Sequence, residues 1–354
     1  MTNSKSTPPA VLTAVAAPVE ARLAALLDHE ISEWSAIDRD LTEPLQSLRE
    51  FVLGGGKRLR PAFCHWAFIG AGGDPEAAAI VDTGAAFELL HAFALIHDDI
   101  MDGSDTRRGA LTVHTQFAAA HADGDWGGES RRFGEGVAIL IGDLAEVFAD
   151  RLMITAPAAA FSVWSELKIE VNIGQYLDVL GAARGGTDLE TSRRIAHYKS
   201  GKYTIERPLH VGAALVDRLD EFREQLSFYG SPLGEAFQLR DDILGAFGDE
   251  ARTGKPVGDD LREGKPTPLL ATARNNASPA QLQLLDRVGS VDLTETDIGE
   301  LQQVVVDTGA RAQIESDIAG LTDIAISALE GLKFEPEAIE ALVELARYVS
   351  DRDL

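Results

Sequence analysis

Two groups of aspartates carry the clearest chemistry in the chain. Asp98 and Asp102 stand four residues apart in Asp98-Asp99-Ile100-Met101-Asp102, so on a helix their carboxylates share one face, one turn apart. Two acids there repel each other and lie near a helix C-terminus, where the dipole disfavours negative charge. A divalent cation removes both penalties. Magnesium suits such a pair, because it takes few carboxylates and completes its shell with water and phosphate oxygens. The second group, Asp241-Asp242-Ile243-Leu244-Gly245, lies in an apolar helical run with Leu233, Phe237 and Phe247, which places Asp241 at the rim of a core. Two acidic groups on separate helices, facing each other across a bundle, would cage a metal-bound diphosphate. Read singly, each is equally an acidic helix end in water.

The cations are placed as counterparts. Only eight lysines occur, and five of them, Lys57, Lys199, Lys202, Lys255 and Lys265, fall in glycine-rich or turn-adjacent segments, a concentration that marks anion sites. Gly54-Gly55-Gly56-Lys57-Arg58-Leu59-Arg60-Pro61 joins flexible backbone to three cations, and Lys57 and Arg60 can converge on one anion. It is no Walker loop, since the terminal Lys-Ser/Thr pair is missing. Arg107 and Arg108 follow the first aspartates closely enough to face the same ligand, while Lys199-Ser200-Gly201-Lys202-Tyr203, Gly254-Lys255 and Gly264-Lys265 add cationic turns. Acids for metal, with bases for a metal-free diphosphate, imply two phosphorylated substrates. Arg58 and Lys202 read as surface charges, Tyr203 as packing, Asp143 as a structural carboxylate, and His91 taken alone as a core histidine.

The elements that must hold these groups are helical nearly throughout. Leu23, Leu26, Leu27, Ile31 and Trp34 recur at three-and-four spacing over Ala21 to Trp34. Asp74-Pro75 predicts a helix start with a run unbroken to about Asp102, and Ser278-Pro279 and Glu335-Pro336 predict two more. Strand signals are weak. Loops are expected at Gly54 to Gly56, Asp123 to Gly136, Gly181 to Asp188 and Gly248 to Lys265, none with the character of an interdomain linker. A disordered tail over residues 1–18 and one all-α domain of about a dozen helices over 19–354 follow.

Composition narrows the function. With 354 residues and 45% hydrophobic content the chain can bury a large core, and a net charge of −25 argues against nucleic acid as a partner. The single cysteine, Cys64, excludes an intramolecular disulfide and a four-cysteine zinc site. No signal peptide is evident, and no run reaches about 18 uninterrupted apolar residues, so no transmembrane segment and a cytoplasmic location are expected.

Taken in order, GGGKRLRP, HDDIMDGSDTRRG, Ile141-Gly142-Asp143, YKSGKYT, FQLRDDILG and GKPVGDDLREGKPT resemble the trans-isoprenyl diphosphate synthases, over about Leu41 to Leu270. The resemblance implies a single large helical bundle of the isoprenoid synthase type with a central active-site cavity, and a homodimer. It implies a Mg²⁺-dependent prenyltransferase that condenses isopentenyl diphosphate with an allylic diphosphate (dimethylallyl, geranyl or farnesyl). Asp98 and Asp102 are then ligands of two Mg²⁺ ions and Asp241 of a third. Lys57, Arg60, His91 and Arg108 resemble the isopentenyl diphosphate pocket, and Arg107, Lys199, Lys255 and Lys265 contacts to the allylic diphosphate. Ser200 and Gln238 resemble groups facing the developing carbocation. Gly245 departs from the family pattern, which often has a third aspartate there, and leaves the third metal site one carboxylate short. Ser200, where threonine is more usual, is a milder departure.

The implied reaction is ionisation, condensation and proton loss to the released diphosphate, within a site closed to water by the loop at Gly248 to Lys265. Chain length would be read four and five residues before Asp98, at Ala94 and Phe93. That pattern resembles geranylgeranyl diphosphate synthases and a twenty-carbon product, with Phe87 and Leu90 as further candidates for the tunnel floor. A farnesyl or longer product, a class I terpene cyclase and a non-catalytic regulatory subunit are the alternatives. The second diphosphate pocket argues against the cyclase, and the retention of both acidic groups against the subunit.

Overall fold

Runs of alanine, leucine and isoleucine with little β-branched alternation commit the chain to helix. A computed structural model describes residues 8–184, 189–248 and 257–351. Sixteen α-helices and one π-helix are present among the described residues. They begin with α1 (Ala10–Ile37), α2 (Thr42–Leu53), α3 (Leu59–Gly70), α4 (Ala78–Asp102), α5 (Val113–Asp123), α6 (Ser130–Met153) and α7 (Ala158–Ala183). After α8 (Leu189–Ala196) comes the π-helix His197–Glu206, followed by α9 (Arg207–Ala214) and α10 (Leu219–Phe247). Six further helices run from Asp259–Glu263 to Pro336–Ser350; Asp259–Glu263, Pro268–Asn276 and Ala310–Ala328 pack against α10, and Pro336–Ser350 packs on α3 and α10. The sole sheet among the described residues is the hairpin Thr106–Arg107 with Ala110–Leu111, just past α4.

The core forms around α4, whose Ala85, Phe87, Leu89 and Leu90 are fully buried among α1, α3 and α6. A second apolar cluster lies between α10 and the later helices, with Leu239, Ile243, Leu269, Val305 and Ile314 at its centre. The two long helices that carry the aspartates therefore each rest on a packed apolar bed.

Four expectations change. The disorder expected over 1–18 does not hold from Ala10 onward: α1 begins there, because Leu12, Val15 and Val19 have core to bury against. Asp74 does not cap α4; it accepts from the backbone N–H of Glu76 in a local turn (3.0 Å), and the helix starts at Ala78. The helices number more than a dozen because the long loop regions hold short helical turns such as Asp259–Glu263. α1 and α4 are each long and apolar enough by composition to cross a membrane, with 67% of the α4 window already buried inside the protein. Ser278 and Pro279 start a helix as expected, with a full capping box to Gln281.

Candidate functional site

Position begins with close backbone packing at glycines. A Cβ on Gly174 of α7 would stand 2.5 Å from the backbone nitrogen of Lys199, and one on Gly234 of α10 would stand 2.7 Å from Cα of Gly201. The π-helix is thus wedged directly between α7 and α10, which delivers Lys199 to the end of α4. π-Helical turns are uncommon and favour functional places.

At that end, Lys199 Nζ donates to Asp98 Oδ1 (2.9 Å) and to Asp178 Oδ2 of α7 (2.5 Å). Gln175 Nε2, one turn earlier on α7, also donates to Asp98 Oδ1 (2.8 Å). Arg107, from the hairpin, binds Asp99 at 2.6 Å and reaches within 3.8 Å of Asp98. Burial would raise the Asp98 carboxyl, but Lys199 and then Arg107 beside it bring it below its ordinary value. Asp99 is almost wholly buried, and burial raises it despite the Arg107 contact. Desolvation by the surrounding protein and the negative charge of Asp98 push Asp102 up to about 6, although its side chain keeps an edge to solvent. Gly103 ends α4 in the left-handed conformation (φ 65°), turning the chain into the arginine hairpin.

The second acidic group is held differently. Arg240 donates to the Ser350 carbonyl (2.8 Å) and bidentately to Glu315, which fixes the rotation of α10 against its neighbours. Asp242 is buried, accepts from Gln238 Nε2 (2.8 Å) and is pushed by burial up to about 7, against the favourable charge of Lys265. Lys265 Nζ lies 3.9 Å from Asp260 Oδ1. Asp260 most of all, against the cost of burial, and then Asp242, Asp178 and Asp98 hold its ammonium well above the ordinary range. One lysine therefore senses carboxylates from α4, α7, α10 and Asp259–Glu263. The two acidic groups face one shared space.

Below that space α4 also lines a basic recess. Arg60 lies over the Tyr203 ring (4.2 Å to its centroid) and donates to Thr204 Oγ1 (3.0 Å). The His91 and Tyr203 rings are 6.1 Å apart. Arg60 Nε, His91 Nδ1 and the Tyr203 hydroxyl are buried without a hydrogen-bond partner among the described residues. Burial and the charges of Arg60, Arg108, Arg107 and Arg58 hold His91 well below its usual value, so it stays neutral at pH 7. Arg108 donates to the Gly55 carbonyl (2.5 Å), which brings the glycine loop and exposed Lys57 to the recess mouth. With Arg58 paired to Glu88 and Arg107 to Asp99, the guanidinium groups of Arg60 and Arg108 beside a neutral imidazole make an anion site.

Phe93 stacks edge-on against His97 (4.6 Å), whose Nε2 is 3.1 Å from the Ile139 carbonyl over Gly142 of α6. Two turns deeper, Phe87 meets Trp164 of α7 edge to face (5.3 Å). Trp164 Nε1 donates to Asp150 Oδ1 (2.7 Å), and Lys168 binds the same carboxylate.

The structure thus brings together Asp98, Asp102, Lys199 and Lys265 at one end, with Gln238 against Asp242 and Asp241 next to it on α10, and Arg60, His91, Arg108 and Lys57 at the other. Arg107 joins the acidic group through Asp99. Lys255 and the side chain of Ser200 lie outside the described residues. Two expectations are corrected. Arg58 is buried, not a surface charge: it pairs with Glu88 and Glu20, donates to the Val52 carbonyl and takes the left-handed conformation (φ 52°). Lys202 is no surface charge either, pairing with Glu170 (2.8 Å) beside Arg207. Asp143 sits exposed in mid-α6, 3.7 Å from His97. Gln175, Asp178, Thr204 and Asp260 were not read from the sequence; Gln175 and Asp178 fall three apart on a helix, and that shared face was the available signal.

The residues fit magnesium. The candidate ligands gathered there are carboxylates, and among the described residues the buried second oxygens of Asp99 and Asp242 have no hydrogen-bond partner. Among the described residues no three acidic, histidine or cysteine side chains are gathered tightly enough to hold a bare ion. That sparse supply leaves coordination positions for water and phosphate oxygens.

The family model for polyprenyl synthetase matches residues 42–306. The chain belongs to the polyprenyl synthetase family. The geranylfarnesyl diphosphate synthase of Aeropyrum pernix is 31% identical over 92% of this chain and 99% of its own length. The octaprenyl diphosphate synthase of Escherichia coli is 30% identical over 90% and 94%. Among solved structures, the geranylgeranyl pyrophosphate synthase of Corynebacterium glutamicum, complexed with isoprenyl diphosphate and magnesium, superposes with a TM-score of 0.89 at 37% identity, covering 95% of this chain and 98% of its own. The polyprenyl synthetase fold is therefore that of the all-helical isoprenoid synthases, and the products named for its relatives differ in length.

Proposed function

We propose that this polyprenyl synthetase joins isopentenyl diphosphate to an allylic diphosphate and releases a trans-prenyl diphosphate of twenty carbons. The observation that carries the reading is that one helix, α4, serves both halves of the site: Asp98 and Asp102 at its end, His91 in the arginine recess two turns earlier. Two differently built anion sites on one rod are what a reaction between two diphosphates requires, whereas a terpene cyclase has one diphosphate to hold.

Asp98, Asp102 and Asp241 would hold Mg²⁺, three ions in all, with Asp242 behind them. Bound there, the metal supplies Lewis-acid neutralisation of the departing diphosphate. The protein's own groups do the rest. Lys199 and Lys265 present fixed positive charge to the leaving oxygens, which costs no reorganisation when charge develops. Arg60, Arg108 and Lys57 grip the second diphosphate, and neutral His91 orients it by hydrogen bonding. No side chain is needed as base, since released diphosphate is within reach of the proton.

Chain length follows from the helix rise of 1.5 Å per residue. Phe93 stands roughly 7–8 Å below Asp98 and the Phe87–Trp164 pair roughly 16 Å below it, so two stops lie in series along α4. A homodimer is part of the same proposal, supported by the exposed apolar faces of α6 (Ile139, Leu140, Val147) and α7 (Ile169, Ile173, Tyr176). Action in the cytoplasm is proposed with it.

Incubation with Mg²⁺, isopentenyl diphosphate and dimethylallyl, geranyl or farnesyl diphosphate in turn, followed by phosphatase treatment, should yield geranylgeraniol from each primer. Absence of condensation with every primer would overturn the reading. Phe93→Ser should shift the product beyond twenty carbons, and an unchanged chromatogram would remove Phe93 from the ruler.

A further inference from the structure

Gly245 stands in the last turn of α10, just before the cap at Gly248, in helical backbone where glycine has no side chain to pack. It follows Asp241 by four residues, on the same helix face. The reason for glycine is spatial. A Cβ at position 245 would stand 2.1 Å from Oδ2 of Asp260, 2.4 Å from its Cγ and 2.8 Å from its Oδ1. The carboxylate of Asp260 therefore occupies the volume that a side chain at 245 would fill. Asp260 is buried (7% exposed), and the Lys265 N–H donates to its carbonyl (3.0 Å), closing the turn that ends at Gly264. Asp242 lies alongside, with one carboxylate oxygen buried and, among the described residues, without a hydrogen-bond partner.

We propose that Asp260 supplies, from fifteen residues away, the carboxylate that the second aspartate group lacks at Gly245, the two residues forming one steric unit. The second group is then Asp241, Asp242 and Asp260, closed by Lys265, and the third metal site is not one carboxylate short. Gly245 is the aperture that admits Asp260, so a side chain at 245 and an inward Asp260 are mutually exclusive. The inference rests on the metal-diphosphate reading of the site.

The test follows the melting temperature of the full-length chain as Mg²⁺ is titrated at fixed inorganic diphosphate, with far-UV circular dichroism reporting fold. Wild type should be stabilised by Mg²⁺ with diphosphate; a wild type that does not respond would overturn the site reading and this inference together. The isosteric Asp260→Asn should need about tenfold more Mg²⁺ for half the shift, the scale of residues that support metal ligands. Gly245→Ala should move the midpoint in the same direction, because its methyl group displaces the carboxylate. Asp260→Ala should be weaker still, and Gly245→Asp added to it should return the midpoint to within a few-fold of wild type. A responsive wild type with an Asp260→Asn variant of unchanged Mg²⁺ midpoint, lowered only in its metal-free melting temperature, would reduce Asp260 to packing and overturn the inference alone. A double variant no better than Asp260→Ala would overturn it as well.

Discussion

The two acidic walls of the site carry the same chemistry and are built in opposite ways. On α4 the negative charges are cancelled by contact: Lys199 sits 2.9 Å from Asp98 and Arg107 2.6 Å from Asp99. Beside α10, Lys265 stands 3.9 Å from Asp260 of the following short helix, and buried Asp242 of α10 is pushed up to about 7. In the first wall Asp98 is held below its ordinary value by contact while burial raises Asp99 and Asp102, the latter to about 6; in the second, burial raises Asp242 to about 7. The difference teaches that a metal site can keep one wall rigid and leave its demand for cations in the other.

Breaking the contact wall should have the largest effect. Arg107→Met strands Asp99, which is 1% exposed, without its ion-pair partner, and should cost about 3–5 kcal/mol of stability in urea unfolding. A loss under about 1 kcal/mol would show that the pair contributes little. Next comes Lys199→Met, which removes a fixed charge aimed at the leaving group and should lower kcat by roughly 100- to 1,000-fold while leaving the helical spectrum intact. An effect on KM alone would make Lys199 a binding residue.

The smallest effect sharpens the other side of the comparison. Asp242 has a folded-state pKa near 7 against an ordinary 3.8, so between those values the folded chain holds a proton the unfolded chain releases. Its contribution to metal-free stability is thus greatest at acid pH and is lost as pH rises through about 7. Asp242→Asn, which keeps the bond from Gln238, should come nearest to wild type at about pH 4 and exceed it in melting temperature by a margin that grows up to pH 8. Equal melting temperatures at pH 8 would mean that the α10 wall is unstrained.

Much of this was legible in the sequence for a local reason. Asp98 with Asp102 and Asp241 with Asp242 are set by helical spacing, and helical period survives folding. Lys199 and Lys265 were legible through the glycines beside them. What escaped depends on partners far along the chain. Arg58, lodged between Lys57 and Arg60, looks like one more loop cation; its burial needs Glu88 of α4, thirty residues on. Gln175 and Asp178 read as ordinary polar positions of α7 until Gly174 lets the π-helix approach. Asp74-Pro75 carried a true turn signal, and its Asx turn ended before α4 began.

The aromatic pair beneath the site has a consequence for divergence. Phe93 is a single residue on one helix, so the upper stop opens by one substitution. The lower stop is a joint between two helices, and its Trp164 indole is one of the donors satisfying Asp150. Removing Trp164 frees space but takes one donor from Asp150, leaving Lys168 and solvent to satisfy the carboxylate. On the proposed ruler, the first lengthening of product is one mutational step away, while the second needs linked changes on α6 and α7. Neighbouring products in such a lineage would then differ by steps of unequal difficulty.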